Sequence, residues 1–269
     1  MRIVVPVKQV PETDAVRMDE QTGTMIREGV SAIVNPLDLF AIEAALQLRE
    51  QRGGGDEVVA ISMGPPKAAV ALREAVAMGC DRAVLLSDKA FAGSDTWATS
   101  YTLAAAVRKL GEASLVVCGE RATDGDTGQV GPGIAAFLDW PVVTYVGQIE
   151  ELGESVIRVR RLVEDGYEQL EADLPAVLTV VKEVAAPRLP TLRGKQKARA
   201  MDLPTWGAEP LNVQAEKLGL AGSPTRVVKI HRPKVARQCV LHRIEDEASL
   251  DRATDELVAF LRSGDLLAE

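Results

Sequence analysis

The densest chemistry in this 269-residue chain lies in Gly119–Gly133, GERATDGDTGQVGPG, between an apolar run ending at Cys118 and a helical run from Ile134 to Leu138. Glycines at the carboxyl end of a strand let backbone N–H groups approach a phosphate at the start of the next helix. Gly125, Gly128, Gly131 and Gly133 are spaced for that task. Thr127 adds a hydroxyl and Gln129 an amide, both able to hydrogen-bond phosphoryl oxygens. Asp124 and Asp126 argue the other way, because bare carboxylates repel phosphate unless they cap N–H groups or hold a ribose hydroxyl. The residues alone support two readings, a pyrophosphate site and a glycine-rich structural turn.

Other reactive patterns are missing. No GxGxxG follows the first strand, Gly194-Lys195 is followed by Gln196 rather than completing a phosphate-loop motif, and no GxSxG elbow occurs. His231 and His242 are the only histidines and lie in the least regular part of the chain, where surface or packing roles are expected. Cys118 follows two valines and reads as a small buried apolar residue. Cys80, Cys118 and Cys239 are widely spaced and form no CxxC, which supports neither a disulfide framework nor a zinc or iron-sulfur site and suits a reducing compartment. No nucleophile and base pair is apparent, so any redox or transfer chemistry would be brought by a bound cofactor.

The elements that must position the loop alternate. Short apolar runs at Ile3–Val7, Val58–Ser62, Ala83–Ser87 and Ser114–Cys118 are strand candidates. Between them Leu37, Phe40, Ala41, Ala44, Ala45 and Leu48 recur at helical spacing, with Asn35 as N-cap and Pro36 at the first helical position, and Gly53-Gly54-Gly55 ends that helix. Residues 66–78 and 96–110 predict two further helices, and the strand-helix alternation predicts an α/β fold with a parallel sheet. Asp95, Thr96 and Thr99 read as the first turn of the second of these. Residues 11–34 interrupt the pattern, and Gly23 within Met18–Met25 predicts a small hairpin. From Val142, four runs (142–149, 156–161, 167–172 and 176–181) follow one another without a helix, an added β segment. Pro187–Met201 carries five basic residues and no acidic one and reads as an exposed excursion. Leu250, Ala253, Leu257 and Leu261 mark the apolar face of a last helix suited to docking.

Composition bounds the function. With 46% hydrophobic and 26% charged residues the chain can bury a core, and only 4% aromatic residues leave that core to Ala, Val, Leu and Ile. A formal charge of -8 disfavours nucleic acid and anionic membranes. The apolar start is too short and interrupted for a signal peptide and no 18-residue apolar run follows, so neither membrane insertion nor export is expected and the location expected is cytoplasmic.

Taken together, several stretches resemble the β subunit of electron transfer flavoproteins over nearly the whole chain: VVPVKQVPET, NPLDLFAIEAAL from Asn35, SMGPP from Ser62, REAVAMGCDRAVLL from Arg73, AGSDTWATSYTLAAA from Ala92, CGERATDGDTGQVGP from Cys118, FLDWP from Phe137 and LPAVLTVVKE from Leu174. The resemblance implies a Rossmann-like sandwich related to adenine-nucleotide α-hydrolases, paired with an α subunit carrying its own FAD. It implies a nucleotide-binding domain over 1–186, a recognition loop over 187–205 and a C-terminal arm over 206–269 that docks on the α subunit. Members that only shuttle electrons from acyl-CoA dehydrogenases hold AMP and a motif closer to DDDxNQTG. Asp124-Gly125-Asp126-Thr127-Gly128-Gln129-Val130 is instead similar to the electron-bifurcating and nitrogen-fixation type, in which FAD occupies the β site. Bifurcation takes electrons from NADH and divides them between an acyl-CoA dehydrogenase or quinone oxidoreductase branch and ferredoxin or flavodoxin. Carried onto this chain, the nucleotide contacts are Pro6, Asn35, Asp38, Met63, Asp95, Thr96, Thr99, Gly119, Arg121, Ala122, Thr123, Asp124, Gly125, Asp126, Thr127, Gly128, Gln129 and Val130. Leu192 aligns with the leucine that enters a pocket of the partner dehydrogenase. An adenylating or ATP-cleaving enzyme on the same general fold is disfavoured, because the first strand is followed by no SGGxDS-type loop.

Overall fold

The computed structural model describes residues 1–12, 32–228 and 239–264. They belong to two compact units, Met1–Val228 and Lys229–Glu269. In the first, β1 (Arg2–Pro6), β2 (Gln9–Pro11), β3 (Ala32–Val34), α1 (Pro36–Gln51), β4 (Glu57–Met63), α2 (Ala69–Met78), β5 (Arg82–Leu86), α3 (Thr96–Leu110), β6 (Ala113–Gly119) and α4 (Val130–Leu138) alternate much as the periodicity predicts. Then come β7 (Val142–Leu152), β8 (Val156–Val163), β9 (Gly166–Asp173), β10 (Ala176–Val180), α5 (Leu192–Ala200), β11 (Thr205–Trp206), α6 (Ala208–Leu211) and α7 (Gly219–Gly222).

Nine strands form one sheet in the order β11-β5-β4-β1-β6-β10-β7-β8-β9, parallel from β11 to β7 and antiparallel through β8 and β9. The pleat of β1 sends Ile3 and Val5 to one face with α1, α2 and Ala198 of α5, and Val4 to the other with α3, α4 and Leu211 of α6. Helices therefore cover both faces, which is why the parallel strands read as continuous apolar runs. From β1 the chain builds toward β4 and β5, then returns to the other side of β1 with β6. That reversal opens a crevice at the strands' carboxyl ends.

The added β segment is present: β10, buried along its whole length, inserts between β6 and β7 and completes the parallel sheet, while β8 and β9 extend it. Two expectations are revised. Pro187–Met201 is not a plain excursion, since Leu192–Ala200 is helical, Thr191 Oγ1 accepts from Gly194 N at 2.9 Å, and Ala198 is buried in the core. Residues 206–228 belong to the first unit, with Leu211 and Leu218 in its core. β2 and β3 pair antiparallel at the base of residues 11–34, but the hairpin expected at 18–25 lies outside the described residues, as does His231.

In the second unit α8 (Glu247–Ser263) begins with a capping box between Asp246 and Ser249 and leaves Leu250, Leu257 and Phe260 exposed. No helix among the described residues is long and apolar enough to cross a membrane, and none of their His, Cys, Asp and Glu side chains gather into a metal-binding group.

Candidate functional site

A cavity of about 360 Å³ opens where β1, β4 and β6 end, and Pro6, Met63 and Gly119, the last residues of those strands, line it. It sits at the reversal of strand order, the position the sheet topology reserves for ligands.

Its floor is a polar brace that links three segments distant in sequence. Asn35, fully buried, donates from Nδ2 to Asp38 Oδ1 at 2.8 Å and to the Arg121 carbonyl at 2.9 Å, while its Oδ1 accepts from Thr123 N at 3.1 Å. Asp38 Oδ2 accepts from Lys8 N at 2.7 Å, and Asn35 N donates to the Lys8 carbonyl at 2.8 Å. Asn35 does precede α1, yet its side chain makes no helix cap. It fastens the loop after β6 to the end of β1. Burial pushes the Asp38 carboxyl up to about 7, against the hydrogen bonds from Asn35 and Lys8. A Cβ on Gly119 would come within 2.5 Å of Asp38 Oδ1, so only glycine lets β6 end against this carboxylate.

The acids that weighed against phosphate are paired. Lys8 Nζ meets Asp124 Oδ1 at 2.6 Å, and Arg121 Nε meets Asp126 Oδ1 at 2.9 Å. These four side chains thus carry no net charge between them. Its glycines divide into two kinds. A Cβ on Gly131 would collide with Thr179 and one on Gly133 with Ser100, so these residues let α4 lie close to β10 and α3. A Cβ on Gly125 would meet nothing within 4 Å, and Gly128 has φ +64°. Gly125 N and Asp126 N donate to the Ala122 carbonyl, so the backbone left for an anion lies beyond them, where α4 begins with N–H groups that lack helical partners.

Opposite the loop, Asp95 caps α3, its Oδ1 accepting from Trp97 N and Ala98 N at 3.0 Å each. Thr96 Oγ1 donates to Gln129 Oε1 at 2.8 Å and so joins α3 to the start of α4. Cys118 lines the cavity, but burial drives its thiol far above its ordinary range, and it is no thiolate nucleophile.

Of the residues singled out in sequence, Pro6, Asp38, Met63, Asp95, Thr96, Thr99, Gly119, Arg121, Ala122, Gly125, Thr127, Gly128, Gln129 and Val130 surround this one cavity. Asn35, Thr123, Asp124 and Asp126 stand behind it as braces and ion-pair partners rather than in its wall. Lys8, Ser94 and Glu120, which sequence reasoning passed over, also line it. A lysine just past the end of a buried strand was the available signal for Lys8.

Leu192, assigned to partner docking, lies on the segment 187–201, where it is 83% exposed and Leu189 is 86% exposed. Two of that segment's five basic side chains turn inward. Arg188 reaches Glu43 Oε2 at 2.7 Å and Glu50 Oε1 at 2.5 Å, and Lys197 reaches the Cys80 carbonyl at 3.2 Å. From α2, Arg73 donates to the carbonyls of Ala198 and Met201.

The model of the electron transfer flavoprotein domain matches residues 22–211. The chain is 49% identical over 233 residues to the caffeyl-CoA reductase-Etf complex subunit CarD of Acetobacterium woodii, covering 87% of this chain and 88% of that protein. It is also 49% identical over 238 residues to the electron transfer flavoprotein subunit beta of Thermoanaerobacterium thermosaccharolyticum, covering 88% and 90%. Against the protein FixA of Azorhizobium caulinodans it is 42% identical over 265 residues, covering 96% and 94%. With a family model spanning most of the chain and relatives matched nearly end to end, the chain belongs to the electron transfer flavoprotein family, in its β-subunit branch.

Proposed function

We propose that this chain is the FAD-binding β subunit of a heterodimeric electron transfer flavoprotein of the bifurcating type. The observation that carries the reading is the continuity of the cavity from the 119–131 loop to Ser94, Asp95, Thr96 and Thr99 at the start of α3. AMP ends at its phosphate and would leave that far wall unused, whereas a dinucleotide has a second half to place there. The residues fit the group: the backbone at Gly128, the Thr127 hydroxyl and the start of α4 can donate to a pyrophosphate, and the Lys8–Asp124 and Arg121–Asp126 pairs cancel the acids that would repel it.

When bound, FAD would supply hydride acceptance from NADH and one-electron release, one electron through the α-subunit FAD toward an acyl-CoA dehydrogenase or quinone oxidoreductase and one toward ferredoxin or flavodoxin. The chain's own part is to hold and orient. Pro6, Asp38 and Met63 would hold an adenosine, the backbone from Thr127 to Val130 would meet the phosphates, and the hydroxyls of Thr96 and Thr99 at the start of α3 would hydrogen-bond the ring system and shift its potentials. The CarD and FixA names support this branch, and Leu192 on its braced segment supports docking to a dehydrogenase.

Anaerobic addition of NADH to the purified αβ complex should bleach flavin absorbance at a rate that catalysis can use. A complex holding two flavins that NADH leaves oxidised contradicts the reading.

A further inference from the structure

Helix α4, VGPGIAAFL, carries no charged or hydrogen-bonding side chain anywhere on its circumference. A helix that is apolar all round is normally enclosed. Here only Gly131, Ile134, Ala135 and Leu138 are buried, whereas Val130, Pro132, Gly133 and Phe137 are half-buried and Ala136 is exposed. On one flank Phe137 packs against Trp97 and Tyr101 of α3, with ring centroids 5.1 and 5.3 Å apart, and Trp97 is itself 38% exposed. On the other flank β7 presents Val142, 40% exposed, and Tyr145, 48% exposed. Half of the chain's ten aromatic residues (Trp97, Tyr101, Phe137, Trp140 and Tyr145) thus lie on α4 or beside it.

The backbone holds Tyr145 in that place. β10 and β7 pair at Leu178 with Val143 and at Val180 with Val146, so Thr144 and Tyr145 together oppose the single Thr179, a β-bulge. Tyr145 takes φ +56°, which an aromatic residue rarely adopts, and its N donates to Thr179 Oγ1 at 3.1 Å. The methyl of Thr179 is in turn the atom that a Cβ on Gly131 of α4 would strike. Without the bulge, Tyr145 would point the same way as buried Val143, into the core under α1, where Val146 now sits. Farther out the sheet is polar but closed. Ile157 and Val159 of β8 point into that same core, which leaves Arg158 and Arg160 on the α4 side. There Arg158 pairs with Glu151 and, at 2.7 Å, with Glu171, and Arg160 pairs with Glu150 at 3.1 Å. A partner that covers this rim strands no charge.

An apolar centre with aromatic anchors and a rim of satisfied charge is the anatomy of a permanent interface. Partners that come and go are recruited by unpaired charge, which this surface lacks and the segment 187–201 has. We propose that the outer face of α4, with Phe137, Val142 and Tyr145, is the seat of the α subunit on this chain. This rests on the chain being one half of a heterodimer.

The test uses the αβ complex with Ala136→Arg and, as a control of equal chemistry, Val70→Arg on α2, an exposed position on the opposite face of the sheet. Association is read by mass photometry over a dilution series. Ala136→Arg places an unpaired charge in the contact and should raise the αβ dissociation constant about a hundredfold, whereas Val70→Arg should leave it within about twofold. Hydroxyl-radical labelling of the wild-type complex gives a second reading that no folding defect can mimic. Relative to its intrinsic reactivity, Tyr145 should be labelled about fivefold more slowly than exposed Leu192, because a seated partner excludes water. Wild-type association in Ala136→Arg, equal weakening by Val70→Arg, or a Tyr145 as reactive as Leu192 overturns the inference. So does a wild-type assembly of two αβ units that Ala136→Arg splits into intact αβ, since the face would then join two copies of this chain. A wild-type chain that binds no α subunit overturns the heterodimer reading and this inference with it, and only that outcome appears before any contact is probed.

Discussion

Two irregular-looking segments, the loop 119–131 and the basic stretch 187–201, solve opposite problems with the same device. In the loop, groups from elsewhere hold the backbone: Asn35 grips Arg121 and Thr123, and Lys8 grips Asp124. What remains is open space beside Gly125 and the main chain that runs from Thr127 into the start of α4, which suits an anion. In the basic stretch, Arg188 and Lys197 reach inward and Arg73 reaches out from α2 to meet it. What remains free is Leu189 and Leu192, with Arg193, Lys195 and Arg199 exposed beside them, which suits an apolar pocket with an acidic rim. Charge in a surface segment is thus divided between fixing the segment and recognising something else. Structure shows which charges do the fixing.

The comparison breaks most visibly at Arg188. Glu43 is only 5% exposed at its side chain, and although burial would raise its carboxyl, the Arg188 hydrogen bonds keep it below the usual carboxylate range. Arg188→Met strands that charge and should destabilise the complex by about 2–3 kcal/mol in urea unfolding. Asn35→Ala comes next: it orphans the Arg121 carbonyl and the Thr123 N–H and should lower stability by about 2 kcal/mol while releasing nucleotide, read by the midpoint of unfolding and by bound cofactor.

Asp38 gives a smaller and differently shaped effect. Its carboxyl titrates near 7 in the folded chain and near the ordinary aspartate value of 3.8 when unfolded, so the folded state holds the extra proton between those values. Stability should therefore fall as pH rises from 4 to 7, by up to about 1.4 kcal/mol per pH unit, and Asp38→Asn, which cannot titrate, should lose that slope. Glu43, Glu50, Asp56, Glu57 and Asp95 are held below the carboxylate range and act in the opposite sense, but their contribution fades as pH rises toward 7, so the upper part of the window reports Asp38. The smallest expected change is Leu192→Ala, within about 0.5 kcal/mol of wild type in stability because the side chain is exposed, yet with slower electron transfer to a partner dehydrogenase.

What could be read from the sequence was local. The helix α3 starts at Thr96 after its Asp95 cap, and Gly53 and Gly54 end α1 at φ +85° and +78°, because caps and glycines act on their nearest neighbours. The loop after β6 was legible as a glycine-rich turn between a strand and a helix for the same reason. The pairings that make it work were not. Lys8 and Asp124 are 116 positions apart, and Arg188 and Glu43 are 145 apart, so no spacing in the sequence joins them. The Gly131 and Gly133 contacts belong to the same class: a glycine that admits a helix looks in sequence like one that admits a phosphate. β10 was legible as a strand, but its place between β6 and β7 depends on the fold as a whole.

The central claim is that the cavity beside Gly125 holds a whole FAD, and counting flavins per αβ heterodimer in wild type and Gly125→Val tests it most directly. A Cβ there meets nothing within 4 Å, so the fold should accept a side chain at this position, but valine would occupy space that a phosphate needs. The account predicts two FAD in the wild-type complex and one in Gly125→Val, with the fold retained by circular dichroism. One FAD together with AMP in the wild type, or two FAD in the variant, would contradict it.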